Sequence, residues 1–261
     1  MTTAQLDVWP DRFLWASWNY KGSMTHRYAA NVVMAAQSRK LILQADRRAA
    51  DRCSVALCAV GASRHIDATE IPFLSLNLDP DSAAALRLRG AVGDRSVRQL
   101  KDDLATPFSE RIVDFLEGRL DARQSRLLGD DIVSAIVPDE HPWPVLDARI
   151  GKIAYHLRTE LPSQIDASAL AKEVALSPGR LMHLFRAQLG LSMGNFLLWQ
   201  KMRHALSMIL QDVSLTSVAQ ACGFSDSSHL THTFQEFYAV RPSDLRNSSY
   251  VQVRLLQAQL T

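Results

Sequence analysis

Residues 166–190 read DASALAKEVALSPGRLMHLFRAQLG and predict two short helices joined by a turn. Apolar residues at helical spacing up to Val174 indicate the first helix, and Ser177-Pro178 supply an N-cap and a first-turn proline for the second. In the second helix Leu181, Leu184 and Phe185 fall on one face, because an α-helix repeats every 3.6 residues. The outward positions are then Arg180, Met182, His183 and Arg186.

The same arrangement recurs at residues 215–238, which read LTSVAQACGFSDSSHLTHTFQEFY. The segment Cys222-Gly223-Phe224 predicts the turn, and Ser225 or Asp226 can cap the following helix. Its apolar stripe is Leu230, Phe234 and Phe237. The outward positions of this second copy are Ser227, Ser228, Thr231, His232 and Gln235.

A segment without proline, from Gly194 to Leu210, joins the two copies and predicts one continuous helix. At about 1.5 Å per residue it spans roughly 25 Å. A rod of that length can hold two reading helices near the ~34 Å separation of successive major grooves on one face of DNA. Double-stranded DNA is therefore the expected partner of this tandem helix-turn-helix region.

Two sets of residues resemble the AraC/XylS family of bacterial transcription regulators. The first set is Leu176-Ser177-Pro178-Gly179-Arg180-Leu181, Leu184-Phe185-Arg186 and Leu189-Gly190; the second is Lys201-Met202-Arg203, Ala205, Leu215, Val218-Ala219, Cys222-Gly223-Phe224-Ser225-Asp226, Leu230, Phe234 and Pro242. Three positions depart from the family pattern: Met193 and Ala239 replace a usual proline and glycine, and Arg241 stands where a small residue is common. The resemblance covers about 100 residues and implies a DNA-binding regulator, an activator by the family's commoner mode, with RNA polymerase and a second copy of the chain as further partners.

The resemblance places the DNA-binding residues on the two reading helices. They are Ser177, Gly179, Arg180, Met182, His183 and Arg186, then Ser227, Ser228, Thr231, His232 and Gln235. Strong base readers such as Arg, Asn and Gln are scarce among them, so we expect specificity to depend on Met182 against thymine methyl groups, on single hydrogen bonds and on DNA shape.

Charge gives the predicted DNA-binding region only weak support. Residues 147–247 hold 10 Lys/Arg against 8 Asp/Glu, and none of the basic residues lies between His204 and Val240. Either backbone amides and hydroxyls make the phosphate contacts of the second copy, or the first copy anchors the protein while the second adjusts or contacts polymerase.

Composition is that of an ordinary globular protein. The 261 residues are 47% apolar, which suits two packed domains, and the sequence lacks both an 18-residue apolar run and a signal-peptide pattern. We therefore expect a cytoplasmic protein without membrane contact. Cys53, Cys58 and Cys222 lack a CxxC spacing, so reduced thiols are the default and a redox role for the first two is the alternative.

Short apolar runs predict strands in the N-terminal third. They are Phe13–Trp18, Asn31–Ala36, Lys40–Gln44, Ser54–Val60 and Phe73–Leu78. Runs at this spacing suggest an all-β barrel or sandwich, and the order of His26, His65 and Leu78-Asp79-Pro80 resembles the cupin-like sensory half of the same family. The predicted fold class is thus α+β, with an N-terminal cupin-like barrel, a helical appendage and a C-terminal all-α domain containing two helix-turn-helix motifs.

A small effector would bind at the mouth of such a barrel. The candidates are Trp15, Trp18, Tyr20, His26 and His65. The alternative is that the aromatic residues simply pack in the core. The two histidines lack a third ligand at a persuasive spacing, so no metal site and no cofactor is predicted.

Helical patterns follow the strands and set the predicted boundaries. Ser96–Leu104 is one candidate helix, Pro107 starts another that carries Ile112, Phe115, Leu116 and Leu120, and Leu127–Ile136 is a third. These helices either complete the barrel core or form a dimer interface. The predicted division is 1–95 for the sensory domain, 96–137 for the helical segment, 138–146 for a proline-rich linker, 147–247 for the DNA-binding domain and 248–261 for a tail.

Three functions compete at this point. A regulator that senses a small molecule accounts for both halves of the chain. A regulator controlled by a protein partner would need no ligand, and a cupin-type enzyme would need three or four converging metal ligands. Since the sequence has no acid/base pair or nucleophile at a persuasive spacing, we expect no enzyme.

Overall fold

The computed structural model describes residues 4–24, 28–45, 49–93, 95–138, 145–238, 240–247 and 249–256. In this part of the chain strands dominate the first half and helices the second, so the predicted α+β class is confirmed. The strands are β1 Ala4–Trp9, β2 Arg12–Ser17, β3 Tyr20–Met24, β4 Ala30–Ala35, β5 Leu41–Ala45, β6 Asp51–Cys53, β7 Val55–Cys58, β8 Arg64–Ala68, β9 Phe73–Leu78, β10 Val97–Gln99 and β11 Val251–Leu255.

The strands of the described residues form two sheets. The larger has the order β10-β7-β4-β9-β2-β1-β11, and the smaller has the order β3-β8-β5-β6. All pairs are antiparallel except β1 with β11, which run parallel from Ala4 opposite Val251. All five predicted strands are present, within a few residues at each end.

Both faces of the larger sheet are buried, because successive residues of a strand point to opposite faces. In β2, Leu14 and Ala16 join an outer apolar cluster, whereas Phe13 and Trp15 join an inner one. The outer cluster is completed by helices α1 Ala83–Val92, α2 Ser109–Leu116 and α3 Ala122–Ile136. The inner cluster continues into the C-terminal helices, so the two halves of the chain share one core.

Two details of the predicted helical segment are wrong. Ser96–Leu104 is not a helix, because β10 pairs with the edge of β7 and Val97 lies opposite Cys58. A 3-10 helix, Asp102–Phe108, follows, and Pro107 lies inside it instead of starting α2. The third predicted helix is confirmed as α3, which begins earlier, behind a capping box formed by Asp121 and Gln124.

The predicted tail contains a strand that the sequence did not predict. Residues 251–255 form β11, because the open edge of β1 offers unpaired backbone groups that a further strand can satisfy. The strand is fixed by a side-chain ion pair between Arg254 Nη2 and the fully buried Asp7 Oδ2, 2.6 Å apart. Of the predicted linker, residues 139–144 lie outside the described residues.

Apart from β11, the regular secondary structure of the described C-terminal half consists of helices joined by turns and short loops. Its helices are α4 Ala148–Glu160, α5 Ala167–Glu173, α6 Pro178–Leu189, α7 Met193–Leu210, α8 Leu215–Cys222, α9 Ser227–Tyr238 and α10 Pro242–Leu245. The predicted short helices and the long connecting helix are therefore confirmed. None of the helices in the described ranges is long and apolar enough to span a membrane.

Candidate nucleic-acid interface

Helix α6 begins where its sequence predicts. The Ser177 side chain accepts a hydrogen bond from the Arg180 backbone N–H at 3.3 Å, and Pro178 occupies the first turn. The helix ends at Gly190, whose φ of 83° is a left-handed conformation that glycine adopts without strain. Both ends of this helix are thus fixed by local chemistry.

The outward face of α6 is open to solvent as predicted. Met182 is 50% exposed, so a large apolar side chain is accessible to a ligand on this face. A Cβ on Gly179 would meet nothing within 4 Å, so a ligand backbone can approach closely there. The exposed candidates of this helix and its cap are Ser177, Gly179, Arg180, Met182, His183 and Arg186.

The start of α9 is capped by Asp226. Its carboxylate accepts a hydrogen bond from the His229 backbone N–H at 2.8 Å, and this bond, followed by one from the Ser225 hydroxyl, lowers the pKa of Asp226. The cap therefore carries a negative charge at the end of α9 nearest the predicted base readers, where it repels DNA phosphate.

The predicted readers of α9 differ in their exposure. Ser228 and His232 are exposed, whereas Ser227, Thr231 and Gln235 are half-buried. The Thr231 hydroxyl donates to the Ser227 carbonyl at 2.8 Å, so it remains only an acceptor for a base. His232 Nδ1 lies 3.8 Å from the carboxylate of Glu236, one helical turn further along α9.

Helix α7 connects the first helix-turn-helix copy to the second as an 18-residue rod of about 27 Å. The Ser192 side chain caps it by accepting from the Asn195 backbone N–H at 3.2 Å. Met193, which replaces the proline usual in the resembling family, is 5% exposed and packs in the inner cluster. The rod therefore keeps its start and its buried face without that proline.

An arginine of α7 joins this rod to the N-terminal domain. Arg203 Nε lies 3.4 Å from the Asp79 carboxylate just after β9, and its guanidinium also donates to the backbone carbonyls of Trp9 and Arg12. Burial raises the pKa of Asp79 to about 6, although attraction to Arg203 opposes that rise. A second ion pair joins Arg158 of α4 to Asp81, so two carboxylates of one loop hold two helices of the C-terminal half.

The structure brings together only some of the predicted effector residues. Trp15 and Tyr20 line a cavity of about 20 Å³ between the larger sheet and the C-terminal helices, which is room for about one water molecule. Trp18 instead packs against the outer cluster, because it follows the end of β2 on the other side of the sheet. His65 lies half-buried on β8, and His26 lies outside the described residues.

The three cysteines are buried, and none of them forms a disulfide within the described residues. Burial raises the pKa of Cys53 to about 12 and that of Cys222 to about 11, so both thiols stay protonated at neutral pH. No group of three His, Cys, Asp or Glu side chains in the described ranges is placed to hold a metal ion.

Sequence reasoning did not predict the contacts of four further polar residues. Asp79 and Arg203 meet across the two halves of the chain, and Arg89 and Arg95 line the same cleft as Arg186. Each pairing joins residues more than 90 positions apart, so no local pattern in the sequence signals it.

Known proteins resemble this chain in two ways. A protein-family model described as a helix-turn-helix domain matches residues 170–248. The arabinose operon regulatory protein of Salmonella typhimurium is 28% identical over 137 residues, which is 49% of each chain, and the transcriptional activator RhrA of Rhizobium meliloti is 36% identical over 80 residues, 30% of this chain and 25% of its own. This chain therefore matches at most about half the length of these two relatives.

Solved structures share the fold over most of the chain. One crystal structure of ToxT from Vibrio cholerae superposes with a TM-score of 0.56 over 92% of this chain and 96% of its own, at 11% identity. ToxT with an unsaturated fatty acid bound superposes with a TM-score of 0.51 over 86% of this chain and 89% of its own, at 12% identity. Likeness at this identity concerns the fold, and it extends to the N-terminal sheets.

Proposed function

Because the chain belongs to the AraC/XylS family of bacterial transcription regulators, we propose that it binds specific DNA sequences and regulates transcription from them. The observation that carries the proposal is the pair of capped helices α6 and α9, each with an exposed polar face, joined by the single rod α7. Such a pair fits two successive major grooves on one face of a duplex. The residues 147–247 would then form one DNA-binding domain with two helix-turn-helix motifs.

We propose different roles for the two reading helices. On α6, Arg186 and Arg180 supply positive charge for phosphates or bases, His183 reads a base edge, and Met182 contacts thymine methyl groups. On α9, Ser228 and His232 are the most exposed candidates, and no lysine or arginine lies on that helix. The first helix therefore provides most of the affinity, and the second adjusts the fit.

The His183→Ala and Arg186→Ala variants test this assignment. Each change should weaken binding to the operator by about 1–3 kcal/mol, because it removes one base or phosphate contact. The operator is first recovered by selection from random duplexes, and affinity is then measured by gel-shift titration at fixed salt. The salt dependence of binding should also become shallower for Arg186→Ala, since one fewer counterion is released.

Matched controls separate DNA contact from general damage. His204 is exposed on α7, and Arg39 is exposed in the N-terminal domain. His204→Ala and Arg39→Ala should leave the dissociation constant within about twofold. Unchanged affinity in both His183→Ala and Arg186→Ala would reject the assignment of α6 as the anchoring helix.

We further propose that the N-terminal sheets form a cupin-like sensory domain and that the protein acts in the cytoplasm as an activator. ToxT with a fatty acid bound supports a small-molecule effector, and the activator name of RhrA supports activation. Contact with RNA polymerase follows from that mode of action.

We also propose a homodimer through α3. Leu127 is 45% exposed on the outer face of that helix, where a second copy could cover it. The Leu127→Glu variant should sediment as a monomer at a protein concentration at which the parent protein is a dimer. A parent protein that is monomeric in the absence and presence of operator would remove this part of the proposal.

A further inference from the structure

A cleft of about 580 Å³ separates the two halves of the chain on the side of α6. One wall comes from the end of α1, the loop leading to β10 and the turn after β7; the other comes from the end of α6 and the start of α7. The volume is within the range of sites that bind small molecules. Cavities of this kind commonly hold ligands between domains, and here one wall belongs to the proposed DNA-reading helix.

Three arginines line the cleft: Arg89, Arg95 and Arg186. In the described part of the chain none of the three has an ion pair, and no acidic side chain lines the cleft. Arginines elsewhere in the N-terminal domain are commonly paired, as Arg12 is with Asp130 at 2.5 Å and Arg111 with Asp131 at 2.6 Å. The described residues of the cleft therefore hold three positive charges and no acidic counterion.

Arg89 is the least solvated of the three. It is half-buried in the last turn of α1, and that burial lowers the pKa of its guanidinium, because burial disfavours the charged form. The N-terminus of α7 also lines the cleft at Ser192 and Asn195, and a helix N-terminus adds a partial positive charge. An anion in the cleft would relieve this uncompensated charge.

Part of the remaining lining is apolar. Leu57, Val60, Leu88, Val92 and Leu191 contribute aliphatic surface between the arginines. An inorganic anion would leave this surface in contact with water, whereas an anion with a hydrocarbon body would cover it. The lining thus selects for a ligand that has one acidic group and one apolar part.

We propose that the cleft is the effector site and that it binds an amphipathic organic anion, whose acid group is held by Arg89, Arg95 and Arg186. The proposal rests on the DNA-binding function above, because Arg186 would bind both the effector and DNA. An arginine that holds the effector is withdrawn from DNA, so effector and operator compete for it. Binding of either must then weaken binding of the other by the same factor.

The first experiment measures ligand binding by isothermal titration calorimetry on the full-length chain without DNA. The probes are octanoate, 4-phenylbutyrate, octyl phosphate, inorganic phosphate and neutral octanol. The organic anions should bind at least about tenfold more tightly than inorganic phosphate or octanol, and comparison of octanoate with octyl phosphate identifies the preferred acid group. Absence of binding by every organic anion would overturn the proposal.

Charge-matched variants locate the site. The double variant R89Q/R95Q should lose at least about tenfold in affinity for the best probe, because two of its three cations are gone. The control R39Q/R52Q removes two exposed arginines outside the cleft and should bind as the parent does. Equal losses of probe affinity in both variants would show a general charge effect and would overturn the assignment of the cleft as the binding site.

The second experiment measures the coupling to DNA. A saturating concentration of the best probe should raise the operator dissociation constant by about 5- to 150-fold in the parent protein. Unchanged or tighter operator binding would contradict the shared role of Arg186. Weaker operator binding by ligand-free R89Q/R95Q would instead show that the cleft arginines contact DNA phosphate, and would also overturn the proposal.

These arms separate this inference from the proposed function. If the parent protein finds no operator but binds the probes through Arg89 and Arg95, the ligand site stands and the DNA-binding proposal fails. If an operator is found but no probe binds, the DNA-binding proposal stands and the ligand site fails.

Discussion

Replacement of Arg203 by methionine is expected to lower the free energy of unfolding by about 3–5 kcal/mol at pH 7. The change leaves the carboxylate of Asp79 buried without its cation, and it removes a donor from the carbonyls of Trp9 and Arg12. The side chain of Asp79 is 2% exposed, so water cannot replace the lost partner. Urea denaturation followed by circular dichroism measures the loss.

The pH dependence of this loss follows from the raised pKa of Asp79. Its folded pKa of about 6 exceeds the ordinary 3.8, so its neutral form favours the folded state, and that contribution is lost as pH rises from about 3.8 to about 6. Without Arg203, which lowers this pKa, the carboxyl group should stay neutral to a higher pH. The difference between Arg203→Met and the parent should therefore be smaller at pH 5 than at pH 7.

The double variant R203M/D79N provides the matched control. It removes both charges together, so its stability should recover most of the loss and approach that of the parent. A double variant as unstable as Arg203→Met at pH 7, with no pH dependence in the single variant, would show that packing and not the ion pair holds this contact.

Replacement of Trp199 by alanine is expected to cost about 3–5 kcal/mol, because it leaves a large cavity in the shared core. Trp199 of α7 is 1% exposed, and its ring stacks on Phe13 of β2 and on Phe237 of α9, each at a centroid distance of 6.2 Å. The side chain thus joins the larger sheet, the rod and the second reading helix. The midpoints of thermal and urea unfolding should both fall.

Trp199→Phe is the control. It keeps an aromatic ring, so its free energy of unfolding should fall by less than half as much as that of Trp199→Ala. The urea transition of the parent should be a single step, because sheet and helices share the inner cluster. Two separated transitions in the parent, with only one shifted in Trp199→Ala, would contradict a common core.

Local signals explain why the C-terminal half could be predicted from the sequence. Ser177, Pro178 and Gly190 fix the ends of α6 by contacts within a few residues, and the apolar period of the helices needs no distant partner. The same holds for α3, whose capping box lies within four residues of sequence. Helices with such ends form wherever their apolar face finds a core.

The N-terminal half was harder because its contacts are distant. Strands β1, β2, β4 and β9 are buried on both faces, so their sequences lack a clear alternation of apolar and polar residues. Both β10 and β11 exist only because a sheet edge about 40 and 250 residues away accepts them. The pairing of Asp79 with Arg203 and the grouping of Arg89 with Arg186 are likewise products of the fold.

We propose above that α6 and α9 enter successive major grooves on one face of DNA. Methylation of guanine N7, which lies in the major groove, reports it directly when modified operators are tested for binding. We predict two clusters of guanines whose methylation weakens binding, about 10–10.5 base pairs apart. Methylation of the first cluster should not affect binding by His183→Ala, and methylation of the second should not affect binding by His232→Ala. A single cluster, or two clusters on opposite faces of the duplex, would contradict the account.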